Sequence, residues 1–155
     1  MLDSLLIPFR SQPPPPALPE GYTLDSERLP GPDELNGLLV ACGDPLRPYE
    51  RLQRALACSA WAFVVRDPQQ RLVAFVRATS DLALNANLWD LAADPTDPAR
   101  DQLLFVLVHT ALSRLRRELP GCSISVAALP EALEPLRRQG FVVDPGGIRA
   151  MGLIL

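Results

Sequence analysis

The feature that most constrains this chain is a long apolar-striped segment held between two strand-like runs. From about Ala99 to Leu119, the residues Leu104, Leu107, Val108, Ala111, Leu112 and Leu115 recur at helical spacing and form one broad apolar face. Arg114, Arg116 and Arg117 crowd the last turns, where the negative end of a helix favours cations. Asn87–Asp94 precedes the helix as a strand stopped by Pro95, and Cys122–Ala127 follows it after a Pro120-Gly121 turn. Strand, helix, strand is a crossover unit, so the two strands are expected to run parallel with the helix lying on their shared sheet.

The remaining segments supply more strands and helices. Gly21–Leu29 reads as a first strand. Pro32 at the first helical position, with Asp33 and Glu34 in the first turn, opens a helix that Gly43 ends. A second helix is expected from about Pro48 to Cys58. Ser59–Val65 and Leu72–Ala78 are apolar, β-branched and aromatic runs around the turn Asp67-Pro68-Gln69-Gln70, which predicts an antiparallel hairpin. Pro130–Gln139 reads as a short helix closed by Gly140, and Phe141–Val143 and Arg149–Leu155 as a last pair of strands. The expected class is α/β (α+β), a mixed central sheet of about six to seven strands flanked by about four helices. Residues 1–20, with prolines at 13–16 and 19, are expected to form an extended polyproline arm before a single domain over residues 21–155.

Composition removes several functions. A net charge of −3 and the absence of a basic stripe argue against a nucleic-acid partner. Three cysteines without a CxxC spacing, beside a single histidine, argue against a metal centre. No run approaches the roughly 18 apolar residues of a membrane span. Unpaired thiols and the lack of a secretory leader pattern predict a cytoplasmic protein.

The order of elements, together with several short strings, resembles the GCN5-related N-acetyltransferase (GNAT) superfamily. Arg71-Leu72-Val73-Ala74-Phe75-Val76-Arg77-Ala78-Thr79-Ser80-Asp81 looks like the third-strand segment of its cyanobacterial and plastid branch, the nuclear-shuttle-interacting type. Asn85-Ala86-Asn87-Leu88-Trp89-Asp90 before Asp94-Pro95 resembles the fourth strand. Gly140-Phe141 and Asp144-Pro145-Gly146-Gly147-Ile148-Arg149-Ala150-Met151 resemble the carboxy-terminal signature. The resemblance spans about residues 21–155 and implies transfer of an acetyl group from acetyl-CoA to an amine. It also implies a bulge in the fourth strand, here Leu91-Ala92-Ala93, whose backbone N–H groups hold the thioester carbonyl and pantetheine.

Two chemical elements of that family are altered. The family opens its long helix with a glycine-rich loop, Q/R-x-x-G-x-G/A, which brings backbone N–H groups onto the CoA diphosphate. The matching residues are Pro98-Ala99-Arg100-Asp101-Gln102-Leu103, so Asp101 and Leu103 replace the glycines. Leu103 is expected to fill the phosphate space, and Asp101 to repel a dianion. Asp97-Pro98 is expected to cap the helix at its first residues and occupy the N–H of Ala99 or Arg100. Arg100 alone could still recruit a phosphate. Leu136 stands where the family places the tyrosine that protonates the departing thiolate, and it cannot donate a proton.

The resemblance therefore implies a non-catalytic, pseudoenzyme-like module. It is expected to bind another protein, or a second copy of itself, with no cofactor. The alternative is an active N-acetyltransferase that uses acetyl-CoA through a divergent grip, with backbone donors at Leu91–Ala93 and with Arg100 or Arg137 and Arg138 holding the phosphates. Asp81 and Asp90 are candidate acids on the acceptor side, although Asp90 could pair with Arg77. Glu131 and Glu134 are expected on a solvated face, His109 as structural, and Trp61 and Trp89 in the sheet core.

Overall fold

The computed structural model describes residues 15–147 and Leu153. Among these, the sheet has five strands in the order β1-β2-β3-β4-β5: β1 Thr23–Asp25, β2 Trp61–Arg66, β3 Leu72–Ser80, β4 Asn85–Ala93 and β5 Ser123–Val126. The first four pair antiparallel, while β4 and β5 pair parallel, as the crossover pattern requires. Four helices complete the fold: α1 Pro32–Ala41, α2 Tyr49–Ala57, α3 Arg100–Glu118 and α4 Leu133–Arg138. The expected class and helix number hold, and the strand count is slightly lower than expected. Phe141–Val143 forms no strand, and Asp144, Gly146 and Gly147 carry positive φ in a tight turn that extended backbone cannot follow. The expected strand Arg149–Leu155 falls almost wholly outside the described residues, as do arm residues 1–14.

Period-two alternation in β2 sends side chains to two separate cores. Ala62 and Val64 join Leu35, Leu38, Leu39, Leu52, Leu56 and Phe75 beneath α1 and α2. Trp61, Phe63 and Val65 meet Leu103, Leu104, Leu107, Val108, Ala111, Leu112 and Leu115 of α3 on the opposite face. Burying each such leucine contributes about 1.5–3 kcal/mol, so α3 is anchored by its stripe and not by helix propensity. α1 starts with Pro32 as expected, and α4 ends where Gly140 takes φ +99 and its N–H donates to the Arg137 carbonyl.

Two irregularities shape the middle of the molecule. On β3 and β4, Phe75 faces Ala92 and Arg77 faces Trp89, so Asp90 and Leu91 together oppose Val76. β4 therefore carries one extra residue, a bulge. Pairing between β4 and β5 runs only from Asn85–Ser123 to Leu88–Val126, after which β4 continues to Ala93 without its neighbour. The two strands thus part beside the bulge.

Candidate functional site

The parting of β4 and β5 opens a cavity of about 320 Å³. One wall is Trp89 to Ala92 on the bulged strand, the other is Ala127, Ala128 and Leu129 just after β5, and Asp44 and Arg47 from the α1–α2 loop close one side. The bulge lies one residue earlier than Leu91–Ala93, centred on Asp90 and Leu91; Leu91 and Ala92 line the cavity, while Ala93 lies beyond it at the strand end.

Asp90 builds this geometry. Its φ of +56 is a left-handed conformation that few residues except Gly, Asn and Asp accept. Its carboxylate is only 6 % exposed and is gripped from two directions: Arg77 Nε donates to Oδ2 at 2.6 Å and Arg47 Nη1 to Oδ1 at 2.8 Å. Arg47 also donates to Asp44 Oδ2 at 2.9 Å, and Asn36 holds the Arg47 main chain through both of its amide atoms. Asp90 thus pairs with Arg77, as one of its two expected roles allowed, and a second cation was missed. Trp89 is 40 % exposed and not in the core, its indole N–H donating to Thr79. Asp81 caps the β3–β4 turn, accepting the N–H groups of Ala83, Leu84 and Asn85, and these bonds hold its carboxyl well below the usual range.

The start of α3 departs from expectation in three ways. The helix begins at Arg100 with Ala99 as N-cap, so Pro98 is not its first residue. Asp97 does accept the Ala99 N–H, at 2.8 Å, and the Arg100 N–H reaches the Asp97 carbonyl. The N–H groups of Asp101 and Gln102, however, have no acceptor among the described residues, so the helix has not satisfied itself. Leu103 is fully buried and packs into the α3 core, leaving the space outside the helix start free of its side chain. Asp101 is exposed and does add negative charge there.

Long-range contacts occupy the same turn. The Tyr22 hydroxyl donates to Asp97 Oδ2 at 3.0 Å, and burial followed by this carboxylate pushes the phenol pKa up. Gln102 Nε2 donates to the Ala17 carbonyl at 2.7 Å, which lays the described end of the arm across the helix start. Arg100 Nη2 meets Glu131 at 2.5 Å, and its Nε points at the Ala93 carbonyl at 3.3 Å. The Cys42 thiol donates to that same carbonyl at 3.2 Å, and burial raises its pKa. Glu131 is therefore a partner of Arg100 and not a free solvated acid.

Leu136 is buried in the α3 core, and Arg138 stacks on Phe105 beside it. Among the described residues lining the cavity there is no tyrosine, cysteine, serine, threonine or histidine. The bulge and the opening beside it are where the thioester end of acetyl-CoA would rest, on Leu91 and Ala92. At the α3 start, the charges a diphosphate would meet are Arg100, paired with Glu131, and exposed Asp101.

A mixed sheet whose fourth and fifth strands part beside a bulge, joined by a long crossover helix, is the architecture shared with the solved acetyltransferases on which the chain superposes. The comparisons with known proteins agree. The chain is 33% identical over 121 residues to the uncharacterized N-acetyltransferase ycf52 of Porphyra purpurea, covering 76% of this chain and 68% of that one. It is 34% identical over 126 residues to the chloroplastic GCN5-related N-acetyltransferase 1 of Arabidopsis thaliana, covering 79% of this chain and 61% of the Arabidopsis protein's length. Among solved structures, a probable acetyltransferase of meticillin-resistant Staphylococcus aureus superposes with a TM-score of 0.75 at 14% identity, over 86% of this chain and 99% of the other. The Escherichia coli GNAT protein YhbS, solved in complex with CoA, superposes with a TM-score of 0.56 at 18% identity, over 81% and 71%. No protein-family model matches the chain. The chain belongs to the GCN5-related N-acetyltransferase family.

Proposed function

We propose that this chain is a GNAT domain that no longer performs acetyl transfer at speed and instead serves as a binding module, engaging another protein or a second copy through the old cleft. The observation that carries this reading is the cleft lining. Among the described residues there, no tyrosine, cysteine, serine, threonine or histidine is placed to protonate a departing thiolate, the Asp44 and Asp90 carboxylates are held in ion pairs with arginines, and Leu136 at the family's acid position is buried in the core. The charge at the α3 start supports it, since Asp101 is exposed and Arg100 is already paired. Free Cys42, Cys58 and Cys122 accord with a reducing, cytoplasmic setting, and no helix among the described residues is long and apolar enough to cross a membrane. Calorimetry with acetyl-CoA tests the reading, together with thioester consumption over a panel of amines and peptides. Binding weaker than micromolar and no turnover are expected; micromolar binding sinks it, and so does turnover.

A second reading is favoured by the bulge and by the N–H groups of Asp101 and Gln102, which have no acceptor among the described residues. In it the chain is an N-acetyltransferase with a divergent grip, its thioester end resting on Leu91–Ala93 and its phosphates on Arg100 and those amides. Under that reading Arg100→Ala abolishes most turnover. Unchanged turnover in Arg100→Ala removes it.

A further inference from the structure

Arg100 and Glu131 sit on opposite lips of the cleft. Ala93, which Arg100 Nε contacts, is the last residue of β4, and Glu131 lies in the 3-10 turn Pro130–Ala132 that follows β5. The strands have already parted at Leu88 and Val126, so one guanidinium bridges both lips at the end nearest α3. It is also the side chain that opens α3, next to the N–H groups of Asp101 and Gln102, which have no acceptor among the described residues. A phosphate arriving there would need the cation that Glu131 holds.

We propose that Glu131 is the selectivity residue of this cleft: its carboxylate occupies Arg100 as an internal anion and turns away phosphate-bearing acyl carriers, while leaving the cavity open to uncharged ligands. The inference rests on the reading above, in which the diphosphate grip is lost, and names the residue that keeps it lost. Three observations carry it. First, carboxylate and phosphate compete for the same guanidinium donors, so a ligand gains Arg100 only by displacing Glu131. Second, the cavity is lined by Trp89 to Ala92, Ala127 to Leu129 and the mutually paired Asp44 and Arg47, and neither Arg100 nor Glu131 lines it, so an uncharged ligand seated there need not break the Arg100–Glu131 pair. Third, both side chains are partly open to water, at 25 and 29 % exposure, so exchange of one anion for another requires no core rearrangement.

The test is a titration followed by NMR, which reads weak dissociation constants, using acetyl-CoA and the phosphate-free S-acetylpantetheine. Wild type, Glu131→Gln, Arg100→Gln and the double variant are compared, with thermal unfolding to confirm that each is folded. Glu131→Gln is expected to bind acetyl-CoA about fivefold more tightly, the equivalent of a partly exposed ion pair, and S-acetylpantetheine unchanged. The gain should vanish in the Arg100→Gln background. No gain for acetyl-CoA overturns the proposal, and so does an equal gain for both ligands, which would mean loosening and not charge competition. A gain that survives without Arg100 overturns it as well. The wild-type affinity tests the functional reading separately: a wild type already binding in the micromolar range defeats that reading, whatever Glu131→Gln does.

Discussion

Removing the Asp90 carboxylate should strike the cleft harder than any other single change on the α1–α2 side. The side chain is 6 % exposed and satisfies Arg77, itself only 13 % exposed, and Arg47, which is 31 % exposed. Deleting one partner of a buried pair costs about 3–5 kcal/mol, because the remaining charge stays buried. Water can take over Arg47 but much less of Arg77, which places Asp90→Ala near the lower end, about 3 kcal/mol. For a domain of this size that is a fall in Tm of about 6–12 °C. Asp90→Asn should cost less, since asparagine also tolerates the left-handed backbone and keeps an acceptor oxygen. Arg47→Ala should cost only about 1 kcal/mol, within the range of exposed pairs. Urea unfolding followed by circular dichroism gives the three values, and amide exchange at Leu91 and Ala92 shows whether the bulge has loosened. If Asp90→Ala unfolds within about 0.5 kcal/mol of wild type, the clamp does not hold the bulge and the reasoning fails. Equal losses for Arg47→Ala and Asp90→Ala would also refute it.

Leu103→Ala should destabilise by about 3 kcal/mol through cavity formation, and Leu103→Gly by about 1 kcal/mol more, without restoring acetyl-CoA binding; a Leu103→Gly protein as stable as wild type would contradict its core position. Tyr22→Phe removes one hydrogen bond to Asp97 and should cost about 1 kcal/mol in the same urea assay; no loss would mean the phenol does not brace the α3 start. The carboxyls of Asp81, Asp67 and Asp25 are held below their ordinary value. Backbone N–H bonds do this at Asp81 and Asp25, whereas at Asp67 burial works against the charge and the bonds from Arg71 outweigh it. Because their folded pKa values are depressed, their stabilisation is present above about pH 4 and is lost as pH falls below it. Melting temperature against pH should therefore fall steeply on the acid side, less so in Asp81→Asn; an identical acid slope in that variant would exclude Asp81.

Local rules made the fold legible. The α3 stripe, the β2–β3 hairpin and the cap residues Pro32 and Gly140 each depend on neighbours within a few positions, and each forms as the sequence implies. The parallel pairing of β4 and β5 follows from chain connectivity alone. Contacts that cross the chain were not legible. Arg47 reaches Asp90 over 43 positions, Tyr22 reaches Asp97 over 75, and Arg100 reaches Glu131 over 31. Trp89 is exposed because it keeps the outward phase of Asn85 and Asn87, opposite buried Ala86 and Leu88; the alternation breaks only after it, at the bulge. Leu103 shows a subtler limit: alignment of a loop gives a position, and only the helix phase tells which way the side chain points.

That phase changes what the two replaced glycines mean. Leu103 points into the core among Leu104 and Leu107, so its bulk contributes to stability and does not obstruct the outer face of the helix. Asp101 points to solvent and acts only by charge, which salt screens over a Debye length of about 8–10 Å. Neither change closes the cleft sterically. In the proposed reading, the barrier to a phosphate-bearing ligand therefore comes from unfavourable charge at Asp101 and from an Arg100 already committed to Glu131. Under that reading, charge of this kind is reversible by single substitutions, whereas a proton donor cannot simply be placed at Leu136, because a polar side chain there would be buried in the α3 core without a partner. On the proposed reading, binding and chemistry are separable in this domain: regaining a carrier calls for one neutralised carboxylate, while regaining turnover calls for a new acid that reaches the cavity from the Ala127–Leu129 or Arg47 wall.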